Sequence, residues 1–141
     1  MEATTQTQVT VQTTVNAPME KVWNYWSAPE HITKWNSAHP DWHSPSASND
    51  LKTGGKFSFR MEAKDGSMGF DFSGVYDEVV PHAAINYTME DGRKVSVTFE
   101  DRGSSVHITE TFDAEQQNPV EMQRDGWQAI MDNFKNYTEH N

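Results

Sequence analysis

Apolar residues follow two rhythms along this chain, a period of two through its middle and a period of three to four near its ends. Val9, Val11, Thr13 and Val15 alternate with polar neighbours, which predicts a first strand over Thr7–Val15. Pro18 then opens a short helix whose Met19, Val22, Trp23 and Trp26 share one face. Ser27-Ala28-Pro29-Glu30 has the spacing of a capping box, and the brief helix behind it carries Ile32 and Trp35. From Asn36 to Asp50 no period survives. Ser, Pro, Asn and His dominate there, so the stretch predicts one long loop, which holds Trp42 and His43.

The middle of the chain reads as a meander. Phe57, Phe59 and Met61 form one strand face, and Met68, Phe70 and Phe72 the next. A two-residue turn at Asp65-Gly66 pairs Met61 with Phe70 and Phe59 with Phe72 on one side, and sets Arg60 opposite Asp71 on the other. Ile85, Tyr87 and Met89 face Val95, Val97 and Phe99 only if Glu90-Asp91-Gly92 forms a three-residue turn, the length at which Gly takes the left-handed position. A tight turn at Arg102-Gly103 brings back Val106, Ile108, Glu110 and Phe112.

The last stretch, Asn118 to Thr138, predicts a long helix. Asn118-Pro119-Val120-Glu121 offers an N-cap, a proline with no N–H to leave unpaired, and a Glu able to close a capping box. Val120, Arg124, Trp127, Ile130, Met131, Phe134 and Tyr137 then fall on one face. Six strands at ~4.8 Å spacing span about 24 Å, whereas a helix with its side chains covers only ~10–12 Å. The sheet must therefore curl around the helix, and that arrangement leaves a hollow inside. The predicted class is α+β: a curved, six-stranded antiparallel sheet around a C-terminal helix, with two short helices after the first strand.

Composition narrows the partners. At 141 residues the chain reads as one domain, residues 1–141, with its core over about 7–138. A balance of 21 acidic against 11 basic residues gives a formal charge of −10, and no Lys/Arg run occurs. Nucleic acid and anionic membrane surfaces both need a basic patch, so neither is an expected partner. There is no cysteine, which removes disulfide and thiol chemistry. The polar start and the lack of any long apolar run predict a cytoplasmic protein.

Candidate chemistry is sparse. Glu110 shares the parity of Val106, Ile108 and Phe112, so its carboxylate is expected to point inward, where it must be paired or protonated. Arg124, one turn before Trp127, is its expected partner. That pair reads either as a structural tie between helix and sheet or as a polar anchor or acid/base of the hollow; local strand geometry turning Glu110 to solvent is the remaining alternative. His39-Pro40-Asp41-Trp42-His43 lacks the ligand count and the helical spacing of a metal site, so no metal or cofactor is expected. His43 and Trp42 read instead as groups at a cavity mouth or in surface packing. Gly54-Gly55-Lys56 is not a phosphate loop, since a strand follows it rather than a helix, and no Gly-x-Ser-x-Gly elbow occurs. Met61, Met68, Met89, Met122 and Met131 suggest an adaptable interior.

Several short strings resemble a known family. Asn16-Ala17-Pro18 with Val22-Trp23, and Pro29-Glu30-His31-Ile32-Thr33-Lys34-Trp35, look like the opening of the AHSA family (activator of heat-shock-protein-90 ATPase homologues) in the START-like, or SRPBCC, superfamily. Gly54-Gly55-Lys56-Phe57, Gly74-Val75-Tyr76 with Val79 and Pro81, Thr109-Glu110-Thr111-Phe112, and Gly126-Trp127 ahead of Ile130 and Phe134 are similar to its later motifs. The resemblance implies a helix-grip fold, a curved sheet gripping the C-terminal helix over a cavity for an apolar ligand.

Three functional readings follow. The first is a protein that binds a small apolar or aromatic molecule or lipid, with Trp35, Trp42, His43, Phe59, Phe72, Tyr76, Tyr87, Glu110, Arg124, Trp127 and Met131 as ligand-binding candidates. The second is a cyclase-, dehydratase- or hydrolase-like relative, with Glu110, His43 or Tyr87 as acid/base. The third is a chaperone-associated partner, for which the surface would matter. Monomer and homodimer are both compatible with the sequence.

Overall fold

The computed structural model describes residues 7–37 and 40–141. In chain order the elements are β1 (Gln8–Val15), α1 (Met19–Ser27), α2 (Pro29–Trp35), β2 (Trp42–His43), β3 (Ala47–Asn49), β4 (Lys56–Ala63), β5 (Gly69–Val80), β6 (Ala84–Met89), β7 (Lys94–Asp101), β8 (Val106–Asp113) and α3 (Val120–His140). All strand pairs are antiparallel, in the order β1-β8-β7-β6-β5-β4-β2, with β3 also on β4. The sheet curls into a half-barrel around α3, the helix-grip arrangement that the sheet's width demands.

The hairpin registers follow the alternation. Met61 lies opposite Phe70, Phe59 opposite Phe72 and Arg60 opposite Asp71, and Ile85 and Tyr87 lie opposite Val97 and Val95. Gly66 and Gly92 sit at φ +79° and +92°, the left-handed backbone that these short turns require. The last turn closes one residue later than expected, on Gly103-Ser104, with the Arg102 N–H donating to the Ser105 carbonyl at 2.8 Å.

Among the described residues the sheet has eight strands rather than six. Within the stretch expected to be a single loop, β2 and β3 pair with β4 and cover its outer edge. Strands of two and three residues are too short to show a period, so nothing in the alternation could reveal them.

Both expected capping boxes are absent. The N-cap of α2 is Ala28, with no side-chain cap, and Ser27 Oγ donates to the Trp23 carbonyl instead, at 2.6 Å. The N-cap of α3 is Pro119, also uncapped by a side chain. Glu115 takes up the loop's free donors, accepting from the Gln117 and Asn118 N–H groups at 3.0 and 2.6 Å.

The core lies between the concave face of the sheet, α1 and α2 at one end, and the second half of α3. Val9, Val11, Val97, Val106, Ile108, Phe112, Met131 and Phe134 are fully buried there. Trp26, Trp35 and Phe134 form an edge-on and tilted aromatic cluster, with centroids 4.9–5.2 Å apart, that ties the short helices to α3. Met68 and Met122, expected inside, are exposed instead.

Candidate ligand cavity

The concave face continues past this packed end into open space. A cavity of about 460 Å³ lies between the sheet and the first turns of α3. Strand alternation brings its walls together in rows. Phe57 and Phe59 of β4 lie beside Phe72 of β5, and Tyr76 of β5 lies opposite Tyr87 of β6. Gly74 sits between Phe57 and Met89, and a Cβ there would meet the Thr88 carbonyl and come within 3.0 Å of the Phe57 ring. Glycine is what leaves room for that ring beside β5.

From the helix come Gln123, Gly126, Trp127, Ile130 and Met131, and from the short elements Trp26, Trp35 and Trp42. Apolar side chains at 50–66% exposure, Phe70, Met122 and Met68, stand out from the surface on β5, on the first turn of α3 and just before β5. Of these, Phe70 lines the cavity itself.

Two polar groups inside have no partner. Glu110 is 7% exposed, lines the cavity, and has neither a hydrogen bond nor an ion pair among the described residues. Its row neighbours across the sheet are Val11, Val97 and Ile85, all apolar. Burial alone pushes its carboxyl up to about 8, so the group is held mostly protonated at neutral pH. The Tyr87 hydroxyl is likewise unpartnered, and burial first and Glu110 second raise its pKa well above the usual phenol range.

The Tyr76 hydroxyl, by contrast, donates to Asn49 Oδ1 at 2.5 Å, while Asn49 Nδ2 donates to the Ser27 carbonyl at 2.7 Å. That chain pins the cavity floor to the end of α1. Arg93 also lines the cavity, but its Nε donates to Asp91 Oδ2 at 2.7 Å.

Of the residues expected from the sequence, Trp35, Trp42, Phe59, Phe72, Tyr76, Tyr87, Glu110, Trp127 and Met131 line the cavity. Two do not. Arg124 is exposed, does not line the cavity and makes no pair with Glu110. His43 lies on β2 with Nε2 3.9 Å from Glu62 Oε1, on the outer edge of the sheet. His39 lies outside the described residues.

Sequence reasoning missed Asn49, read as loop, and Gln123. The buried Gln123 accepts from the Glu115 N–H at 2.8 Å and donates to the Glu115 and Asn118 carbonyls at 3.2 and 2.9 Å. It clamps the loop that leads into α3. A polar residue between Val120 and Trp127, next to Arg124, gives no signal of that kind.

Among the described residues, no group of His, Asp and Glu is placed to hold a metal ion, and no helix is long and apolar enough to cross a membrane. No curated protein matches the chain. Among solved structures, the AHSA1-like protein of Aeromonas hydrophila is 40% identical with a TM-score of 0.89, over 95% of this chain and 93% of that one. A protein of Cytophaga hutchinsonii is 55% identical with a TM-score of 0.82, over the same shares. A protein of Chromobacterium violaceum shares the fold at 20% identity, with a TM-score of 0.84 over 94% of this chain and 98% of that one. The family model described as activator of Hsp90 ATPase homolog 1-like protein matches residues 16–139, nearly the whole length, and the chain belongs to that family.

Proposed function

We propose that this protein binds a small apolar or aromatic molecule in the cavity between the sheet and α3. The observation that carries the reading is the hollow itself. About 460 Å³ stays open although aromatic rings surround it and the rest of the concave face is packed. Interiors normally close to the density of organic crystals, and a void of this size forgoes several side chains' worth of contact. A guest molecule would restore that contact. Its shape would be read by Phe57, Phe59, Phe72 and Trp127, and its orientation by the two free polar groups.

A thermal-shift screen of small aromatic and lipid molecules tests this, since a guest that binds only the folded state raises the melting temperature by mass action. Native mass spectrometry of the protein from its own cells adds the identity of any co-purified guest. A library that includes two- and three-ring aromatics and yields no shift would count against the reading.

A second reading rests on Glu110. An unpaired acid near neutrality inside a largely apolar cavity is suited to general acid–base work, with Tyr87 as a neighbouring donor. His43 takes no part in that reading, since it is on the outer edge. With a substrate in hand, Glu110→Gln would abolish turnover and leave binding intact.

A further inference from the structure

The polar content of the cavity points to a narrower class of guest, on the premise that the cavity binds one at all. Among the described residues, each group on its walls that can carry a charge near neutral pH has a partner except one. Arg93 is held by Asp91 at 2.7 Å. The Glu115 carboxylate is taken by the Gln117 and Asn118 N–H groups. Tyr76 is bonded to Asn49. Tyr87 is a neutral phenol. The part of α3 over the cavity supplies Gln123, Gly126, Trp127, Ile130 and Met131, none of them titratable.

That leaves Glu110, more than nine-tenths buried, lining the hollow and met by no cation among the described residues. A buried acid without a partner is costly, and native interiors seldom keep one without a use for it.

We infer that the guest is an organic ammonium, a protonated amine on an apolar or aromatic body, with its nitrogen on the Glu110 carboxylate and its charge facing the ring walls. Three observations favour a cation over a neutral or anionic guest. The free group can become an anion and has no counter-ion among the described residues. The walls are rich in Trp, Tyr and Phe, whose faces attract cations, and more strongly where water is excluded. The chain carries a formal charge of −10, so its overall field favours the approach of cations over anions. A carbonyl compound could also accept from a protonated Glu110, but it would draw on neither the ring faces nor the field.

Proton accounting makes the inference measurable. The free acid is mostly protonated at pH 7, with its pKa near 8. An ammonium docked against it stabilises the carboxylate, and the carboxyl proton leaves to solvent. Binding at pH 7 therefore releases close to one proton, whereas a neutral guest releases none.

The test is calorimetric titration of the full-length protein with four probes of one shape: 1-naphthylmethylamine, 1-naphthylmethanol, 1-acetonaphthone and 1-naphthoate. Each is run at pH 7 in buffers of different ionisation enthalpy. The amine is expected to bind roughly tenfold or more tighter than the alcohol and ketone, to release close to one proton, and to leave the carboxylate probe weakest. In Glu110→Gln the amine's advantage and its proton release disappear, while a cooperative melting transition and a far-UV spectrum like that of the wild type show that the variant is folded.

An alcohol or ketone that matches the amine, or an amine preference that survives Glu110→Gln, would overturn the inference while leaving the cavity reading intact. Failure of all four probes to bind would remove both.

Discussion

Phe112 of β8 and Trp127 of α3 lie ring on ring, with centroids 3.9 Å apart and planes 10° from parallel. Phe112 is fully buried and stands two residues from Glu110 on the same strand face. The stack therefore fixes the height of the helix above the sheet just where the open part of the cavity begins. Trp127→Ala is expected to lower stability by about 3 kcal/mol, the usual cost of deleting a large core aromatic, and to widen the cavity. Chemical denaturation measures the first effect; loss of the indole wall weakens a bound aromatic dye, which measures the second.

Glu110 makes stability depend on pH in an unusual direction. Its unfolded form ionises near the ordinary value of 4.5, whereas the folded form holds its proton to about 8. The folded state therefore binds more protons between these values, and stability must fall as pH rises through that window. The contribution is full below about 4.5 and gone above about 8, and it is worth on the order of a few kcal/mol. Melting temperatures measured from pH 5 to pH 8.5 should decline in the wild type more steeply than in Glu110→Gln. Parallel curves would mean that Glu110 is not buried as an acid.

Gly126 stands inside α3, lines the cavity, and has nothing within 4 Å of the place a Cβ would occupy. Glycine there costs the helix roughly 0.5–1 kcal/mol against alanine, a cost that packing does not explain. Gly126→Ala should raise stability by about that amount and leave dye binding unchanged. Gly126→Leu should keep the fold but lose affinity for a bulky aromatic dye, since the added side chain occupies open cavity space. Unchanged dye binding in the leucine variant would show that the guest sits elsewhere.

Gln123 holds three hydrogen bonds to the loop before α3. Gln123→Ala removes the side-chain partner of the part-buried Glu115 N–H and of the Glu115 and Asn118 carbonyls, and should cost about 1 kcal/mol. Hydrogen exchange should then quicken at residues 115–118 ahead of the rest of the chain; uniform exchange across the molecule would argue against a local clamp.

Much of this fold could be read before any coordinates. The β4–β5 and β6–β7 registers follow from two-residue alternation plus a turn whose length glycine declares, and both are local facts. The inward aim of Glu110 followed from parity along β8 alone. Its partner did not. Arg124 lies two turns before Met131 on nearly the same side of α3, yet Met131 is buried and Arg124 is exposed. Helical periodicity gives a residue's direction around the axis and nothing about what lies beyond it at that height. β2, β3, Asn49 and Gln123 escaped for a related reason: each acts through a partner distant in sequence or through backbone bonding that needs no pattern.

Sequence alone determined the order of the longer elements, most strand faces, the turn lengths and the acidic balance, because each depends on neighbours within a few residues or on a simple sum. Only the folded molecule decided that the helix leaves about 460 Å³ unfilled and that Glu110 faces that space unaccompanied. Both depend on how a curved sheet and a straight helix diverge in three dimensions, a distance that no one-dimensional spacing encodes.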